Sequence, residues 1–71
     1  MNDPTAIDHL LRNQPEMLTT EEVAELMRVE RPTVLRWASD YGLKILSVGP
    51  RIKRIRREDL REFLLTSDEL Q

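Results

Sequence analysis

The side chains with the most obvious chemistry in this 71-residue sequence are guanidinium and ammonium groups. Arg31 and Arg36 stand close together, and Arg51, Lys53, Arg54, Arg56 and Arg57 follow within one short stretch. Arginine can donate two hydrogen bonds to one guanine edge or neutralise a phosphate, so a surface carrying such groups on two elements suits a polyanion. Catalysis has far less to work with. His9 is the only imidazole, and there is no cysteine to serve as nucleophile, soft metal ligand or half of a disulfide. Glu21, Glu22 and Glu25 cluster, but acids in the first turns of a helix are accounted for by its dipole. Gly42 and Gly49 are the only glycines, and both fall at turns, which excludes a glycine-rich phosphate loop. No cofactor, metal or small-molecule substrate is therefore expected.

The charge sum is −2, which argues against nucleic acid until it is divided along the chain. Residues 1–27 carry Arg12 against six carboxylates and sum to −5; residues 58–71 carry Arg61 against five and sum to −4. Residues 28–57 hold nine Lys and Arg against Glu30 and Asp40, a net of +7. Segregation of this kind can create a local positive field that the average conceals. A solvated basic face is the competing explanation, since charge runs usually lie at the surface.

The elements that must position these charges follow from apolar spacing and end signals. Ile7, Leu10 and Leu11 fall at i, i+3 and i+4 after Asp3 and Pro4, which predicts a short amphipathic helix over 4–13. Alone it is too short to persist. Thr19 followed by Glu22 is a capping box, so a helix begins at Thr20 and runs to about Arg28, with Val23, Ala24, Leu26 and Met27 as its stripe. Pro32 is tolerated only in a first helical turn, placing the next helix from about Arg31 to Ser39. Val34 and Trp37 form its buried side with Ala38, and Arg31, Thr33 and Arg36 its outer face. Trp37 could stack on bases, but its spacing from Val34 makes it a core residue. Leu35 either touches a thymine methyl or completes the core edge. Met17, Leu18 and Met27 read as core fillers. Two helices of this length joined by three or four residues have helix-turn-helix spacing.

Gly42 suits a left-handed residue closing that helix, after which Leu43 turns into the core. Lys44–Val48 and Arg51–Ile55 read as a hairpin about Gly49 and Pro50. Ile52 and Ile55 fall on opposite faces of a regular strand, so either a bulge intervenes or one isoleucine is exposed. Leu60, Phe63 and Leu64 define a last helix over 58–65, and residues 66–71 form a flexible acidic tail. The chain thus reads as an extension over 1–16, one mainly α domain with a small β-hairpin over 17–65, and the tail. Residues 1–8 have no apolar run, which fits neither a signal peptide nor a membrane span and predicts an intracellular protein.

The run from Leu18 to Met27, then Val29 to Trp37, Gly42-Leu43, Val48-Gly49 and Arg57 to Leu64 resembles the excisionase family of small MerR-like winged-helix DNA-binding proteins, over about residues 17–65. The resemblance implies a winged helix-turn-helix with its second helix in the major groove and its hairpin wing in the minor groove of double-stranded DNA. Arg31, Pro32, Thr33 and Arg36 would face bases and phosphates, and Arg51, Lys53 and Arg54 would form the wing. Glu30 departs from the family by replacing a serine cap, and the stretch from Gly49 to Arg57 is about one residue longer. The implied role is that of a phage or mobile-element protein in the bacterial cytoplasm. It would bind repeated sites beside an attachment site, associate with further copies on DNA, bend the duplex and direct a tyrosine recombinase (integrase) toward excision. The acidic ends are expected to contact neighbouring copies or the integrase. Two alternatives stay open: a small MerR-like transcription regulator, and an adaptor whose basic face meets an acidic protein.

Overall fold

In the computed structural model, which describes residues 1–70, four helices surround a small antiparallel sheet in the order α1 (Pro4–Leu11), β1 (Met17–Thr19), α2 (Thr20–Met27), α3 (Arg31–Asp40), β2 (Leu46–Val48), β3 (Ile52–Arg56) and α4 (Arg57–Thr66). This is the expected mainly α winged helix-turn-helix, with one strand more than the hairpin. β3 lies in the centre of the sheet, between β1 and β2. Three residues are too few for alternation to reveal β1. Its ladder partner is also distant in sequence, since Met17 pairs with Arg56 and Leu18 with Ile55.

The capping box forms as its spacing dictates. Thr19 Oγ1 accepts from the Glu22 amide at 2.9 Å, and Glu22 Oε1 accepts from the Thr19 amide at 2.8 Å. Thr19→Ala is expected to lower stability by about 1 kcal/mol and the Tm by about 4–8 °C, read from a thermal melt.

The turn from α2 to α3 is made without glycine. Arg28 adopts the left-handed conformation at φ 58°, its N–H bonds the Glu25 carbonyl at 3.1 Å, and the Val29 N–H bonds the Ala24 carbonyl at 2.9 Å. That pair of bonds is a Schellman closure. Glu30 begins α3 with no side-chain cap. Instead, Arg31 Nε reaches Glu21 Oε2 at 2.6 Å, tying the first turn of α3 to the first turn of α2. At the far end Gly42 has φ +85°, and both Tyr41 and Leu43 donate to the Trp37 carbonyl at 3.1 Å. Leu43 is buried as a result.

The core gathers Leu18, Val23, Val34, Ile55 and Leu60, all at 0% exposure, with Ile7, Leu11, Ala24, Leu43 and Leu64 around them. Trp37 packs at its edge, its ring centroid 5.6 Å from that of Phe63. Met17, expected in the core, lies exposed on the other face of β1, because Leu18 takes the inward position. Ile55 is buried and Ile52 exposed, with regular pairing from Arg54 to Ile52, so no bulge intervenes.

α1 stops at Leu11, two residues short of the expected end, and packs against α4 with Ile7 and Leu11 inward and Leu10 partly exposed. Arg61 fastens the pair by donating through Nε to Asp8 Oδ1 at 2.6 Å. Asn2 then holds the end of α4: its amide donates to Leu65 O and its side chain to Leu64 O, both at 2.7 Å. These bonds hold the chain just ahead of the expected acidic tail over 66–71. α4 runs on to Thr66, and Ser67–Glu69 forms a 3-10 turn. Gln71, the last residue of that tail, lies outside the described residues.

Candidate nucleic-acid interface

α3 buries Val34 and presents Arg31, Pro32 and Arg36 to solvent, with Thr33 and Leu35 half-buried beside them. The α2–α3 turn and the Arg31–Glu21 pair fix its start, and the Trp37 carbonyl bonds fix its end. The β2–β3 hairpin stands beside it. A shallow groove between the two is lined by Pro32, Leu35, Arg36, Ala38, Ser39, Ile45 and Lys53, with the Asp40 carboxylate at its edge beyond ion-pair distance of either cation. Two helix positions and one hairpin position singled out from sequence therefore share one concave surface. Leu35 lines this groove.

Pairing along the sheet explains the placement of Lys53. Leu18 and Ile55 meet directly on the core side, and Lys53, two residues from Ile55, points to that same side beyond the end of the core. It reaches across to Ser47 Oγ at 3.4 Å. Arg54 points to the opposite face and donates to the Lys53 carbonyl at 2.9 Å. Its charge also reaches Glu21, whose carboxyl is held below the usual range by its own backbone amide first, then by Arg31 and Arg54. Arg54 thus shares a neighbourhood with Arg31 rather than with the groove. Arg51 lies exposed in the turn between the strands.

The cations differ in what already occupies them. Among the described residues, Arg36, Arg51, Lys53 and Arg54 have no carboxylate within ion-pair distance, whereas Arg31 is engaged by Glu21. Arg56 donates Nε to Asp59 Oδ2 at 2.8 Å and Nη2 to Oδ1 at 3.0 Å. Arg57 donates to the Gln14 carbonyl at 2.7 Å. Both face a separate cleft at the start of α4, where Asp8, Glu16 and Glu58 interleave with Arg12 and Arg61. The net +7 of the middle segment is accordingly split, and the part beside α3 rests on fewer residues than the sum implies.

Asp59 is 8% exposed, and the Arg56 guanidinium holds its carboxyl below the usual carboxylate range. A depressed folded value contributes stability that is complete above the unfolded pKa of about 3.9 and is lost as pH falls through the folded one. Wild-type Tm should consequently fall more steeply below about pH 4 than that of Asp59→Asn, which has no such proton to bind. Parallel slopes in melts across that range would count against the pairing.

A helix, a tight turn and a second exposed basic helix, flanked by an antiparallel hairpin, define a winged helix-turn-helix. Residues 17–68 match the family model for the helix-turn-helix domain. The chain belongs to this DNA-binding family, which includes excisionase-like proteins. No curated protein and no solved structure matches it. No helix among the described residues is long and apolar enough to cross a membrane.

Proposed function

We infer that the protein is an architectural DNA-binding protein of the excisionase type. The observation that carries this reading is the groove in which Arg36 of the exposed helix and Lys53 of the hairpin face one space, both without a carboxylate partner among the described residues. A major groove about 12 Å wide accepts one helix. With α3 seated there, Arg31, Pro32, Thr33 and Arg36 meet bases and phosphates, while Arg51, Lys53 and Arg54 follow the adjacent minor groove. Residues 17–65 supply this interface.

A single module of this kind buries roughly 600–1,000 Å², which favours several copies acting together on repeated sites. Those sites lie beside a phage attachment site, where the bound copies bend the duplex and bias an integrase toward excision in the bacterial cytoplasm. The core positions of Ile7 and Leu11 bear on how self-association is tested. Removing residues 1–15 would take away part of the core, so cooperativity is better probed by substitutions at exposed acidic positions.

The test is a retardation assay on DNA flanking the neighbouring attachment site, with circularly permuted fragments to detect bending. Cooperative retardation with position-dependent mobility supports the reading. Tight binding only at a promoter, away from any attachment site, identifies a transcription regulator instead. Arg51→Ala should weaken binding to every duplex and flatten the plot of log affinity against log salt by about one unit. An unchanged slope would remove Arg51 from the phosphate contacts.

A further inference from the structure

We propose that the outer face of the hairpin tip is an apolar wedge that enters a base step of the DNA minor groove and produces the bend. The proposal rests on the reading of β2–β3 as a DNA-contacting wing. Val48 and Ile52 pair directly across the hairpin, closing the three-residue turn Gly49–Arg51, and Leu46 follows on the same face opposite Arg54. All three are exposed: Val48 at 65%, Leu46 and Ile52 at 46%. The core does not use them, since Ile55 alone carries β3 into it. Here aliphatic side chains project together from the free end of a ribbon.

The surrounding charge identifies the occupant. From Tyr41 to Arg57 the chain contains no carboxylate, and Arg51, Lys53 and Arg54 flank the apolar ridge. A fitting partner has anions on its rim and apolar faces within. Duplex DNA is built that way, with phosphates bordering a groove whose floor is the edge of stacked bases. Apolar side chains inserted from the minor groove partly unstack a step and kink the duplex toward the major groove. Pyrimidine–purine steps yield most easily. A second copy of this chain fits less well. Three aliphatic side chains fall well short of the roughly 1,000 Å² that a specific protein interface needs.

The probe is the duplex that the wild-type protein selects from a random-sequence pool, with 2-aminopurine placed in turn at each adenine. The variant is Val48→Thr with Ile52→Thr, which keeps β-branched residues in both strands, leaves every cation in place and touches no core position. With the wild-type protein, fluorescence should rise severalfold at one TA or CA step. The double variant should retard the same duplex within about fivefold of wild-type affinity, yet lose that rise and at least half of the bend. Wild-type fluorescence and bend in the variant would overturn the wedge. So would a variant that keeps the bend and loses only cooperative retardation, since the ridge would then be a contact between copies. Retardation by the wild-type protein without any fluorescence rise also defeats the wedge but leaves the DNA-binding reading intact. Failure of the wild-type protein to select or retard any duplex would defeat both.

Discussion

Val34→Asp is expected to leave the chain without a cooperative unfolding transition at room temperature. Val34 is fully buried in one cluster with Leu18, Val23, Ile55 and Leu60, and it is the residue through which α3 reaches the centre of the core. The substitution loses about 1.5–3 kcal/mol of apolar burial. It also buries a carboxylate among the apolar side chains of that cluster, at a further cost of about 3–5 kcal/mol. A domain of this size rarely has more than about 3–5 kcal/mol of stability in total, so the loss exceeds the reserve. Circular dichroism and a thermal melt read the outcome directly. A variant that melts cooperatively near the wild-type temperature would show that α3 presents the opposite face, and the interface built on Arg36 would fall with it.

Arg36→Ala should have the complementary result, an intact fold and impaired recognition. The side chain is exposed and has no carboxylate partner among the described residues, so the melt should not change. A bidentate contact to a guanine edge contributes about 1–3 kcal/mol, equivalent to roughly 5- to 150-fold in affinity. The loss should appear on the selected duplex and be small on a scrambled one. Titrations of both duplexes separate the possibilities: equal weakening would make Arg36 a phosphate contact and move base recognition elsewhere on α3. Arg31 is the less informative position, because its pairing with Glu21 also holds α3 against α2. Substituting it mixes loss of a contact with a shift of the helix.

Much of this architecture is legible in the sequence because its signals are local. The Thr19–Glu22 box, Pro32 in a first turn, Gly42 past a helix end and the Leu60–Phe63–Leu64 spacing each specify an element from a few neighbouring residues. What escaped was set by distant partners. β1 exists because Met17 and Leu18 find Arg56 and Ile55, and the end of α4 is held by Asn2 from the opposite end of the chain. Arg28 gives no glycine signal for its left-handed turn, which the Schellman bonds hold in place. The candidate site shows the same division. Residue type and helix phase put Arg36 on the outer face of α3, and the family resemblance puts Lys53 in the wing, but neither reveals that Asp59 takes up Arg56, that Arg57 turns to Gln14, or that Arg31 is held by Glu21. Summed charge counts side chains; an interface depends on which of them are left unpaired.

The central claim is that this small, net acidic chain binds duplex DNA through the unpaired cations of α3 and the hairpin. The most direct measurement is the dependence of affinity on salt, by fluorescence anisotropy with the selected duplex. With three phosphates neutralised by Arg51, Lys53 and Arg54, log affinity should fall against log salt with a slope of about −2.7. No binding at about 50 mM salt, or a slope indistinguishable from zero, would contradict the claim.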